Sequence, residues 1–191
     1  MVIFKKKYFV IIENTKDLDL SNTKISKKFI IIYRNYQNKH DIQKLTIFRR
    51  ICKTKRIDFY VANNIYLMKL LKADGLYISA HNKRINLNKF KNSNFEILGS
   101  AHNIKELSLK NLQGCKTVIF SRLFQTEYKE KNGHLGIIKF NLLARTRKEN
   151  LIPLGGIRIS NLNKMKLLAS EGLVLLSEIK KKPAKIISRL F

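Results

Sequence analysis

The sequence predicts a compact α/β fold, a (β/α)8 barrel. Three observations carry that expectation. Eight short apolar segments recur from end to end, helix-type patterns separate them, and few of the segments alternate cleanly with polar residues. Alternation marks a sheet with one wet face, whereas near-continuous apolar runs mark parallel strands buried on both faces. Eight strand–helix units in series are the pattern of a TIM barrel.

The strands are expected at Tyr8–Ile12, Phe29–Arg34, Ile57–Val61, Gly75–Ser79, Phe95–Ser100, Thr117–Ser121, Leu151–Gly155 and Leu173–Ser177. At 191 residues the chain is short for the fold, which usually takes about 200 or more. The shortfall is early. Only Asn14 to Lys28 separates the first two strands, so the first βα unit is expected to be short or irregular. Ile42, Leu45, Phe48, Ile51 and Cys52 recur at helical spacing, as do Leu162, Met165, Leu168 and Ala169, and both sets read as helix faces packed on the sheet. Asn103 with Glu106 makes a capping-box start after the fifth strand. Gly114 and Gly172 fall where left-handed C-caps are wanted, and Pro183 falls near the start of a last helix. A doubly wound open sheet is the competing fold, but no Gly-x-Gly-x-x-Gly follows the first strand. No linker or low-complexity segment divides the chain, so residues 1–191 are expected to form one domain.

With 45% hydrophobic residues the chain is globular. The apolar runs are far shorter than the ~20 residues of a membrane-spanning helix. No signal-type apolar region follows the basic Met1 to Lys7 stretch. Cys52 and Cys115 lie in apolar patterns and read as core thiols, which fits a reducing cytoplasm. His40, His81, His102 and His134 make no metal-binding spacing. The net charge of +26 attracts phosphates, on nucleic acid or on small metabolites. The lysines are spread along the whole chain, and Asn and Ile are abundant as well, as AT-rich coding produces. Nucleic acid is therefore not the expected partner.

In such a barrel the chemistry sits at the C-terminal ends of the strands. The run Leu151 to Ile157 ends in Gly155 and Gly156, and the last strand ends at Ser177 before a final helix. Backbone N–H groups of the last two loops commonly bind phosphate in barrels, and glycine lets the oxyanion approach closely. The longest loop, Ser121 to Gly136, carries Lys129 and Lys131 and suits a clamp on a diphosphate. His102, after the fifth strand near Ser100, is a candidate contact to a bound ring or phosphate, and His81 is a weaker one. Asp58 and Asp74 lie at strand starts and are assigned to stability.

Five segments in order carry a family resemblance: Lys72 to Ser79, Ile97 to Asn103, Val118 to Thr126 with its loop to Gly136, Leu154 to Ile157, and the closing strand with its serine. Their order and spacing resemble the thiamine phosphate synthase/TenI family, in a divergent alphaproteobacterial-type branch. The likeness holds over roughly residues 57–179 and is looser over 8–36. It implies a transferase that joins a hydroxymethylpyrimidine diphosphate to a thiazole phosphate and releases diphosphate. It places the thiazole phosphate at Gly156, Leu176 and Ser177, the diphosphate at Ser100 and Lys129, and family motif residues at Arg34 and Thr126.

The departures are as specific. Ile32 and Tyr36 stand where the family has glutamine and lysine, Tyr128 where it has a second threonine, and Arg122 where the isomerising branch has histidine. The resemblance implies Mg²⁺, yet its two aspartate positions hold Asn63 and Asn82. Asparagine is the poorer magnesium ligand. Two alternatives therefore stand beside the synthase: a TenI-like protein that binds or isomerises the thiazole phosphate, and a basic barrel for nucleic acid or another phosphorylated partner.

Overall fold

In a computed structural model, which describes residues 7–20, 27–37, 39–90, 95–126 and 133–175, all eight strands form within about a residue of their expected bounds, save that the expected end of the last, Leu176 and Ser177, lies outside the described residues. The strands are β1 (Lys7–Ile12), β2 (Phe29–Tyr33), β3 (Asp58–Ala62), β4 (Gly75–Ile78), β5 (Glu96–Ala101), β6 (Thr117–Ser121), β7 (Asn150–Leu154) and β8 (Gly172–Leu175). All ladders are parallel, in the order β7-β6-β5-β4-β3-β2-β1-β8. The sheet curls until β7 lies beside β8. That seam carries Pro153, which has no N–H to give, at an edge of the ladder where a missing donor costs least. The Ser170 hydroxyl bridges the seam, 2.8 Å from the Leu151 carbonyl oxygen and 2.9 Å from that of Gly172.

The apolar runs divide by parity between two cores. Tyr8, Val10 and Ile12 face the outer layer, while Phe9 and Ile11 face the barrel axis with Ile30, Ile32, Leu98, Ile119, Ile152 and Val174. Successive strand residues point to opposite faces, so burial of both faces removes any polar alternation.

Among the described residues four α-helices cover the outside: α1 (Ile42–Thr54), α2 (Ile65–Leu70), α3 (Ile104–Leu112) and α4 (Gly136–Arg145). α1 buries Leu45, Phe48 and Cys52, as its spacing predicts. Among the described residues the first βα unit holds a 3₁₀ turn at Thr15–Asp17, closed by a capping box between Asn14 and Asp17. Two expectations change. The segment Ile159–Leu167 is 3₁₀ rather than α-helical. Leu162, Met165 and Leu168 are buried at a spacing of three, the 3₁₀ repeat, which leaves Ala169 exposed. Gly172 is the first residue of β8 and not a left-handed cap; a β carbon there would lie 2.6 Å from the Lys7 carbonyl oxygen. Gly114, at φ 85°, is the cap expected of it. Pro183 lies outside the described residues.

The N-terminal end of the barrel is acidic and tied down. Asp74 accepts the Phe59 N–H (2.8 Å) and an Arg49 N–H (2.7 Å). The Tyr60 hydroxyl donates to Glu96 (2.6 Å), and Gly75 leaves room for the Tyr60 ring, 2.1 Å from where a β carbon would stand. Among the described residues no helix is long and apolar enough to cross a membrane.

Candidate active site

The opposite end, where the strands finish, gathers the polar residues singled out above into four groups. In the first, Arg34 follows β2, and its backbone N–H donates to the Ile12 carbonyl (2.8 Å). Its guanidinium lies 4.7 Å from the Tyr36 ring centroid and 5.8 Å from that of Tyr77. Both are cation–π distances, which hold a planar cation without a carboxylate partner. Tyr77, in β4, is fully buried inside the barrel, with its hydroxyl hydrogen-bonded to Ser100 of β5. Burial raises its pKa, while the Arg34 charge and the Ser100 bond pull the other way. Arg34 and Ser100 thus meet through a tyrosine that strand reading alone passed over.

The second group joins His102 to β6. Its Nδ1 lies 2.5 Å from the Ser121 hydroxyl, and its ring centroid is 6.4 Å from that of His81. The loop is fixed by the start of α3. The His102 N–H donates to Glu106 (2.7 Å), and the Asn103 side chain accepts the Glu106 N–H (2.9 Å). Asn103 is the N-cap that the sequence predicts, while Glu106 turns to the His102 N–H and not to that of Asn103, so the reciprocal half of the box is displaced by one residue.

The third group is the double-glycine turn after β7. Gly155 and Gly156 have φ of 103° and 66°. A β carbon on Gly155 would lie 3.0 Å from Arg122 Cγ, so the turn packs against the loop leaving β6. Arg122 in turn donates to the Thr126 hydroxyl (3.2 Å). The Gly155 carbonyl accepts the Phe124 N–H (3.1 Å) and the Gly156 carbonyl accepts from Asn161 (2.8 Å). Lys129, Leu176 and Ser177 lie outside the described residues, so their place in this group is not drawn.

The fourth group is the asparagine pair. Asn63 Oδ1 accepts from the Ser79 N–H (3.0 Å) and from Asn82 Nδ2 (3.2 Å), and Asn63 Nδ2 donates to the Ser79 hydroxyl (3.0 Å). Asn82 Oδ1 accepts the Arg84 N–H (3.1 Å). The structure therefore joins the two positions separated by nineteen residues in sequence.

Tyr77, Ser121 and Lys110 escaped the sequence reading. Strand parity finds the first: Tyr77 shares the inward face with residues that are otherwise mainly aliphatic.

The chain is a parallel (β/α)8 barrel with arginines, serines and a double-glycine turn at its C-terminal rim. The family model described as thiamine monophosphate synthase matches residues 9–179, and the chain belongs to that family. It is similar to the thiamine-phosphate synthase of Pelagibacter ubique, at 25% identity over 90% of this chain and 87% of that one. It is also similar to that of Flavobacterium psychrophilum, at 27% identity over 74% and 73%. Among solved structures, thiamine phosphate pyrophosphorylase from Pyrococcus furiosus superposes with a TM-score of 0.71 over 97% of each chain at 15% identity. That last likeness is one of fold.

The asparagine pair does not fit a magnesium ion. Both amide oxygens are turned to N–H donors, and neither position supplies the carboxylate that a hard dication favours. Among the described residues no cluster of three or more His, Cys, Asp or Glu could hold a metal.

Proposed function

We propose that this chain is a thiamine phosphate synthase, joining a hydroxymethylpyrimidine diphosphate to a thiazole phosphate in thiamine biosynthesis. The convergence of Arg34, Tyr77 and Ser100 at the rim of a barrel of this family carries the reading. The bond between the pyrimidine methylene carbon and the diphosphate oxygen breaks, its electron pair leaving with the diphosphate. The thiazole nitrogen lone pair then forms the new carbon–nitrogen bond, and no proton need be moved.

The protein's task is to hold two anions and to stabilise the negative charge that grows on the leaving group. Arg34 and Ser100, with Lys129 from the long loop, take the diphosphate. Gly155 and Gly156, with Leu176 and Ser177 that follow β8 in sequence, take the thiazole phosphate through backbone N–H groups and a hydroxyl. Thr126 and His102 border the space between. No step is routed through magnesium. Two buried free thiols support a reducing cytoplasm as its compartment.

The test is turnover of the two substrates by the purified protein, with magnesium and with chelator. Thiamine phosphate and diphosphate in equal amounts are the expected products. Binding of the thiazole phosphate with no product under either condition overturns the synthase in favour of a TenI-like binding or isomerising protein. Affinity for nucleic acid that falls steeply with salt, without thiazole phosphate binding, points to the basic-barrel alternative.

A further inference from the structure

Two side chains of α3 and its C-cap hold the loop after β4 from beneath, and the reaction above makes no use of them. Lys110 is fully buried. Its ammonium donates to the carbonyl oxygens of Ser79 (2.8 Å) and Asn82 (2.9 Å) and to Gln113 Oε1 (2.8 Å). Gln113 is buried as completely, and its Nε2 donates to the carbonyls of Asn82 (2.8 Å) and Arg84 (3.1 Å). Gly99 of β5 opens the path: a β carbon there would stand 3.1 Å from Lys110 Cγ and Cδ.

Three oxygens around one nitrogen define its protonation state. An ammonium has three N–H donors, whereas a neutral amine has two and would turn its lone pair on the third oxygen. Burial draws the group down to about 8 from its usual 10.5, while Cys115 and Glu106 act the other way, so the charge persists at neutral pH. All three hydrogen-bond partners are neutral, Glu106 acts only through space, and a buried charge projects its field further than an exposed one.

The loop held in this way, Ser79 to Arg84, presents Asn82 to Asn63 and leaves Lys83 and Arg84 exposed. A dication at the asparagine pair would have to compete with three hydrogen bonds already made to the amide oxygens, find no carboxylate there, and sit across one loop from a fixed positive charge.

We propose that the Lys110–Gln113 clamp and the Asn63–Asn82 pair replace a divalent-cation site in this chain, and that the loop they lock binds a diphosphate directly through protein cations. Lys110 is a positioning residue: it reaches no ligand, but fixes the loop and supplies charge behind it. The diphosphate belongs to the synthase reading, so the inference rests on that reading for its substrate.

Mn²⁺ is the probe for the metal, read by electron paramagnetic resonance, and inorganic diphosphate in chelator is the probe for the subsite, read by calorimetry. The wild-type chain leaves Mn²⁺ free at millimolar concentration and binds diphosphate without it. Lys110→Met keeps the stem against Gly99. It weakens diphosphate binding by about tenfold, or roughly 1.4 kcal/mol, and raises KM for the pyrimidine diphosphate, while KM for the thiazole phosphate stays within about twofold. A merely structural role would move both. If Lys110→Met does not fold, the exposed Lys83→Ala with Arg84→Ala weakens diphosphate in the same sense. Stoichiometric Mn²⁺ that is lost in Asn63→Ala, or diphosphate binding that requires a dication, overturns the inference. Product formed only with magnesium leaves the synthase standing and removes this inference. No product at all, with metal-free diphosphate binding intact, does the reverse.

Discussion

Gly156→Ala probes the turn proposed for the thiazole phosphate. Gly156 sits at φ 66°, where an L side chain costs about 1–2 kcal/mol. The added methyl would also lie 2.5 Å from the Gln125 carbonyl oxygen and 2.7 Å from Phe124 Cβ. Ordinary contact begins near 3.4 Å, so the loop leaving β6 must retreat by almost 1 Å. That retreat strains the Phe124 N–H bond to Gly155 and the Leu123 N–H bond to Leu154. Overpacking of this kind costs about 1–3 kcal/mol, for a sum of about 2–5 kcal/mol. In a domain this size each kcal/mol is worth about 2–4 °C, so Tm falls by roughly 4–20 °C. Gly136→Ala is the control. Its φ is 68°, yet nothing lies within 4 Å of the new methyl, so it carries the conformational cost alone. Thermal melts followed by circular dichroism, with thiazole phosphate titrations below Tm, read both effects. Equal melting of the two variants refutes the packing of the turn against the β6 loop. Full thiazole phosphate affinity in Gly156→Ala refutes the phosphate site.

The other predictions are brief. Arg34→Ala removes the cation stacked between Tyr36 and Tyr77 and lowers turnover about 10²-fold, the loss of one charge-stabilising donor; turnover within threefold of the parent contradicts its role at the leaving group. Asp74→Ala leaves the Phe59 N–H without its acceptor and Arg49 with the Lys72 carbonyl alone, and costs about 2 kcal/mol in urea unfolding, with turnover unchanged because the residue lies at the far end of the barrel; a large loss of turnover at full stability counts against that placement. Burial pushes the thiols of Cys52 and Cys115 up to about 12 from their usual 9.0, so the folded chain holds protons that the unfolded chain releases between those values. Stability therefore falls as pH rises from about 9 to 12, and Cys52→Ala flattens the slope; an unchanged slope rules this out.

The strands were legible because burial on both faces leaves the same mark wherever it occurs. A run such as Phe29 to Tyr33 has no polar residue to shift its register, so its ends fall where the apolar run ends. The shrunken first unit followed from arithmetic on Asn14 to Lys28. The segment around Met165 was misread because three-residue spacing satisfies both an α-helix face and a 3₁₀ turn, and Ala169 was too small to decide between them. At the site, strand ends gave the rim positions of Arg34, Ser100, His102 and the glycines, but not which neighbour each one touches. Contacts such as Arg34 on Tyr77 depend on the barrel's parity and curvature, which no single segment encodes.

Lys110 shows where composition misleads. Among 39 basic residues it reads as one more solvated lysine, yet it follows Leu107 by three and precedes Gln113 by three, on the face that α3 buries. A lysine and a glutamine one turn apart on an apolar face, opposite a strand glycine, form a joint signal that no charge count carries. Each makes sense only with the others: Gly99 gives room for the stem, Gln113 takes the third N–H, and the β4 loop supplies two carbonyls. The cost of burying an ammonium is repaid only if the loop above needs to be held. That is why the two asparagines and the lysine are better explained as one device than as three separate departures from a metal site.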